Sequence, residues 1–212
     1  VCVTSVMVVA MARPRPLRGD TIRRRPKDRK AQIARASAEA FSTLGFHGVS
    51  MEAIASRVGI SAPALYRHYT GKYELFRDAV LSLGQQLVDC TDFADDAAVE
   101  DPQLVLHRLI ASLVDTAMIN RESGGLYRWE GRYLRGDDQA TLIAQMRTVH
   151  HRIQRPLCVI RPKLTPRERW TLSTAVLSVL GSIVDHRAKL PAIQVRALLA
   201  DLRALERMLE EG

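Results

Sequence analysis

The stretch from Ser50 to Phe76, SMEAIASRVGISAPALYRHYTGKYELF, restricts the fold of this chain more than any other. Ile54, Ala55 and Val58 recur at helical spacing and share one face. Ser50 stands where a side-chain oxygen caps a helix, and Glu52 lies in the first turn, where the helix dipole favours a carboxylate. Gly59 supplies the left-handed backbone that ends such a helix, and Ile60 is a small apolar plug in the turn. Ser61 caps a second helix, and Pro63 falls in its first turn, where a missing N–H costs nothing. Leu65 points to the core and leaves Ala62, Ala64, Tyr66, Arg67 and His68 facing outward. Small residues at the start of such a helix let its backbone come close to a partner, and polar residues further along reach bases and phosphates. This is a helix-turn-helix with a second helix suited to the major groove.

The string from Ile54 to Phe76, I-A-x-x-V-G-I-S-x-x-x-L-Y-R-H-Y-x-x-K-x-x-L-F, resembles the DNA-binding signature of TetR-type (tetracycline-repressor-like) transcriptional regulators. Ala55, Gly59, Leu65, Tyr66, Tyr69, Lys72 and Leu75 fall in register. Tyr69 replaces the usual Phe, Gly71 a common Ser or Asn, and Tyr73 a common acid; the last two weaken the capping of the next helix. The resemblance is tight over residues 27–76 and architectural beyond. It implies an all-α fold of about nine helices, in which a three-helix DNA-binding domain (27–76) precedes a helical ligand-binding and dimerisation domain (77–212). The expected partners are a palindromic double-stranded operator, a second copy of the chain and a small-molecule effector whose binding releases a repressor from DNA. The expected DNA-contacting set is Arg25, Lys27, Ser50, Ser61, Ala62, Ala64, Tyr66, Arg67, His68, Tyr69 and Lys72, with Tyr66 and Lys72 on phosphates.

Charge supports the same division. Residues 1–76 carry 13 Lys/Arg against 5 Asp/Glu, and residues 77–212 carry 18 against 18, so the formal excess of +8 sits wholly on the first third. A basic module on a neutral body is what polyanion binding requires. Nine of those basic residues fall between Arg13 and Lys30, among three prolines and Gly19. Residues 1–26 therefore read as a flexible basic arm suited to the DNA backbone or a minor groove, or as a solvated tail. A nonspecific architectural DNA binder using this arm is the second functional reading. The apolar opening VCVTSVMVVAMA lacks the leading positive charge of a signal peptide; the expectation is a natural start at Met7 or Met11. Cys2, Cys90 and Cys158 are an odd, widely spaced set that fits a reducing cytosol rather than a disulfide framework or a zinc site. No apolar run approaches a membrane span.

The first helix is expected over about 27–44, with Ile33, Ala36, Ala40, Phe41 and Leu44 buried and Gly45 ending it. A lever helix follows over about 71–92, then helices over 102–120, 124–135, 137–160, 165–187 and 191–210. The last two carry aliphatic stripes, Leu172, Val176, Val179, Leu180 and Ile183 on one and Leu198, Leu202, Leu205 and Leu209 on the other. Each stripe suits burial in its own domain, and the resemblance makes the pair a dimer seam. No phosphate loop, HExxH, GxSxG or spaced carboxylate pair is present, so no enzyme is expected, and no metal or other cofactor is assigned. His150 and His151 are adjacent, which points them apart on a helix. The segment Leu126–Arg135, LYRWEGRYLR, mixes Tyr127, Trp129 and Tyr133 with Arg128, Arg132 and Arg135. On one helix those arginines share a face. With the aromatics they suggest a pocket mouth for an amphipathic acid such as a fatty acid or acyl thioester, or else a solvated face.

Overall fold

The computed structural model describes residues 26–95 and 101–185, which form eight α-helices and two 3-10 turns with no strand among them. Helix α1 (Pro26–Gly48) turns Ile33, Ala38, Ala40 and Phe41 inward. Its regular part ends where expected, because Gly45 takes φ 72° and ψ 165°, outside the helical region. Leu44 departs from the expected stripe and lies 52% exposed. The break at Gly45 swings Phe46 inward instead, and its ring packs against Phe41 and Phe76 at 6.2 and 4.8 Å between centroids.

Helices α2 (Met51–Val58) and α3 (Ala62–Tyr66) close this small core, and α4 (Lys72–Asp89) runs out of it. The core does not stop at residue 76. Ala79, Val80 and Leu83 of α4 continue it, and Leu126, Leu134 and Leu142 enter it from much later in the chain. A second core joins α5 (Pro102–Ile119), α7 (Gly136–Ile160) and α8 (Pro166–Asp185) through Leu113, Val114, Val149, Ile153, Leu180 and Ile183. Helix α4 touches both α1 and α7 and is therefore the beam shared by the two cores.

Two expectations change. The helix expected over 124–135 is broken into α6 (Gly125–Trp129) and a 3-10 turn at Gly131–Tyr133. Gly131 is buried against Leu142, where a Cβ would meet the leucine methyl at 2.9 Å. Arg128, Arg132 and Arg135 thus do not share one continuous helical face. On α8, Ile183 is 7% exposed and packs in its own core beside Val176, which removes it from the outward seam. Leu172 and Val179 are half-buried. Leu198, Leu202, Leu205 and Leu209 lie outside the described residues, as does Arg25; of Lys27 only the helical backbone is described.

Candidate nucleic-acid interface and effector chamber

Helices α1 to α3 and the first turn of α4 form the reading head, which is built by its caps. Ser50 Oγ accepts from the Ala53 N–H at 3.1 Å and starts α2. Gly59 ends α2 at φ 70°, ψ 35°, with its N–H bonded to Ser56 O and the Ile60 N–H to Ala55 O, at 3.1 and 3.0 Å. The αL residue costs nothing as glycine and reverses the chain in a single step. Ser61 Oγ then accepts from the Ala64 N–H at 3.3 Å and fixes α3. Leu65 anchors α3 in the core, while Tyr66, 49% exposed, and Arg67 and His68 face solvent. Ala62 and Ala64 leave the start of α3 low and open, half-buried beside the capping serine.

Two residues of the expected contact set are engaged within the protein. Tyr69 is 1% exposed, with its ring in the core, and so cannot reach DNA from this position. Burial first, then the Asp78 and Glu74 carboxylates, push its phenol far above the usual range and keep it neutral. Lys72, expected on a phosphate, donates from Nζ to Val49 O at 3.0 Å and sits 4.9 Å from the Phe46 ring centroid. Its ammonium ties α4 to the link between α1 and α2. Gly71 offers α4 no side-chain cap. Glu74 replaces it by accepting from Thr70 N and Oγ1 at 2.8 and 2.9 Å, and these bonds hold its carboxyl below its ordinary value.

The segment Leu126–Asp138 is docked on this head. Leu126 and Leu134 are buried in its core. Glu130 Oε2 accepts from the Phe46 N–H at 3.0 Å, satisfying the backbone that Gly45 breaks out of α1. The Tyr133 ring stacks on Phe46 at 5.9 Å and meets His47 edge-on at 5.2 Å. Tyr73 Oη, on the first turn of α4, donates to Asp138 Oδ2 at 2.8 Å and accepts from the Arg135 N–H at 3.0 Å. Of the residues expected to bind ligand, Tyr133 therefore faces the reading head. Arg132 lies along the Tyr133 ring at 5.1 Å, and Trp129 is exposed beneath the Arg128 guanidinium at 5.6 Å.

Tyr127 of that set lines a cavity. Leu83, Leu113, Ala117, Asn120, Leu180 and Gly124 share it, and its volume is about 30 Å³. That is room for little more than one water. Gly181 forms part of the wall, and the Arg128 guanidinium lies against the place a Cβ would occupy. The chamber is thus small and mostly apolar, with α6 as one side.

The family model for bacterial regulatory proteins of the tetR family matches residues 33–79, the helices just described. These residues carry the DNA-binding module of that family. A transcriptional activator from Mycolicibacterium smegmatis, FasR, is 43% identical over 54 residues, which span 25% of this chain and 25% of that protein. Beyond this segment the likeness is one of fold. The TetR family regulator PfmR from Thermus thermophilus superposes with a TM-score of 0.68 at 22% identity, over 80% of this chain and 95% of that one. AibR, solved in complex with isovaleryl coenzyme A and operator DNA, superposes with a TM-score of 0.64 at 16% identity, over 82% and 97%.

Within this TetR fold, three positioning residues escaped the sequence reading. Arg152 of α7 is buried and donates to Val88 O at 2.6 Å and Thr91 Oγ1 at 3.1 Å, so a cation sits at the carbonyl end of α4. Its spacing with Val149, Ile153 and Pro156 marks it as inward-facing. Tyr73 was visible as a departure from the family pattern. Glu130 carried no signal, because its partner is a backbone N–H 84 residues away.

Proposed function

We propose that this chain is a ligand-gated transcriptional regulator that binds a palindromic operator as a homodimer and leaves it when a small apolar or amphipathic acyl compound fills the α6-walled chamber. The observation that carries the reading is the double attachment of Leu126–Asp138. Tyr127 borders the chamber, while Glu130, Tyr133 and Arg135 hold Phe46, His47 and Tyr73 of the reading head. A ligand too large for 30 Å³ has to push α6 outward, and α6 cannot move without disturbing the break in α1 or the first turn of α4. A ligand shifts the equilibrium only through its preference for one of the two conformations. The chamber supplies that preference, since it is too small for any acyl chain in the conformation described.

On DNA, Tyr66, Arg67 and His68 are the side chains offered to the groove, with the N-terminal turn of α3 against a phosphate. Lys72 acts by positioning α2. The acyl class rests on the apolar lining and on the isovaleryl coenzyme A complex of AibR. FasR is named an activator; gated operator occupancy serves either sign of control, depending on where the operator lies. A ratio of selected-operator to random-DNA affinity of about 10³ or more at physiological salt supports the specific regulator. A ratio near one supports the architectural reading instead.

A further inference from the structure

A second cavity, of about 210 Å³, opens between the two halves of the molecule. Its floor is made of small residues where α1 crosses α4: Ala34, Ala38 and Ala79, all buried. Its far wall comes from the end of α5 and the turn before α6, through Ile119, Asn120 and Ser123. Ser82 and Gln86 of α4 and Arg35 of α1 stand on the rim.

The polar groups here are arranged for a guest. Ser123, 4% exposed, lines the cavity and offers it a hydroxyl. Asn120 is held in place, its Nδ2 donating to Gln86 Oε1 at 2.8 Å and Thr116 O at 3.0 Å. No carboxylate among the described residues lies within ion-pairing distance of Arg35. At the opposite edge Ile119 is 67% exposed, a large aliphatic group beside the opening. One wall is therefore apolar, one end is polar, and a cation stands at the mouth.

We infer that this cleft is a second effector site, distinct from the α6-walled chamber, and that it takes a compact amphipathic carboxylic acid. The carboxylate sits on the Arg35 guanidinium, with Ser123 as a neighbouring donor, and the chain lies on the alanine floor against Ile119. The volume is below the roughly 300–1,000 Å³ of pockets for drug-sized ligands, which excludes a coenzyme A thioester and favours a free acid of short or medium chain. Because α1 forms one wall and the α5–α6 junction the other, occupancy braces the reading head against the rest of the molecule. The site does not depend on the chamber being the primary effector site.

The test is calorimetric titration of sodium octanoate, with octanol as the uncharged control, into the full chain. Arg35→Gln is a surface change that leaves folding intact. It should weaken octanoate by about fivefold or more, the low end for a charge-assisted hydrogen bond near solvent, and leave octanol unchanged. Ala117→Leu, which fills the α6-walled chamber, should change octanoate affinity less than Arg35→Gln does. Absence of binding to the wild type, equal octanoate affinity in Arg35→Gln, or loss of binding in Ala117→Leu would each overturn the second site. Operator affinity measured without octanoate on the same preparations separates the two proposals: its absence defeats the regulator, and leaves the cleft standing.

Discussion

The reading head and the Leu126–Asp138 segment are both built from short helical pieces punctuated by glycine, yet they hold together by different means. In the head, the caps and the turn act on neighbours in sequence: Ser50 on Ala53, Ser61 on Ala64, Gly59 on the turn it makes. In the segment, every attachment reaches far along the chain, from Glu130 to Phe46, from Tyr133 to His47, from Arg135 and Asp138 to Tyr73. The first kind of device fixes local shape by itself, over a core the two regions share. The segment takes its shape from what it touches, and so can report on it.

The largest effect that could break this contrast is in the shared core. Leu126 is 1% exposed among residues of the reading head. Leu126→Ala should cost about 2–5 kcal/mol of unfolding free energy. It should also speed amide exchange in α1, although Leu126 belongs to a segment far later in the chain. Unchanged protection of Phe41 would mean that the two regions unfold independently.

Next in size are the charges of the head. Arg67→Ala should weaken operator binding by about 1–3 kcal/mol. Lys72→Ala should instead lower stability by about 1 kcal/mol and leave the salt dependence of binding unchanged, because its ammonium serves Val49 O. A salt slope flattened by about one unit in Lys72→Ala would return it to a phosphate.

These differences also mark what was legible beforehand. The helix-turn-helix could be read because caps, the αL glycine and the buried leucine are local and obligatory in type. Tyr69 and Lys72 share the motif's register but not its exposed face, and register alone does not tell a contact to DNA from a contact that holds the contacting helix. LYRWEGRYLR has the composition of a pocket mouth, but the position of Gly131 against Leu142 breaks its helix and turns Tyr133 toward Phe46. On α8, aliphatic spacing marked an apolar face without saying whether Ile183 met its own core or another subunit.

Smaller effects sharpen the picture at its edges. Tyr73→Phe removes the donor to Asp138 and the acceptor of the Arg135 N–H, and should destabilise the chain by about 1–2 kcal/mol in urea titration. An unchanged midpoint would make that attachment incidental. On the outer face, His150 stacks on Trp170 at 4.3 Å, bonds Ser173 Oγ through Nδ1 at 2.9 Å, and is held below its ordinary value by burial. The folded state therefore prefers the neutral ring. Its contribution is complete above the ordinary histidine range and is lost as pH falls through it. Melting temperature should fall more in the wild type than in His150→Phe on going from about pH 7.5 to about 5.5, across the histidine range. Equal falls would contradict this.

The most direct test of coupling through Leu126–Asp138 is a double-mutant cycle on operator affinity, which needs no identified effector. Ala117→Leu occupies the chamber, and Glu130→Gln weakens the bond to the Phe46 N–H. If chamber and reading head communicate through this segment, the filled chamber weakens operator binding in the wild-type background and much less in Glu130→Gln. The expected interaction free energy is about 1 kcal/mol or more, in the range of allosteric couplings. Effects that add within about 0.3–0.5 kcal/mol, as they do for independent sites, would contradict it.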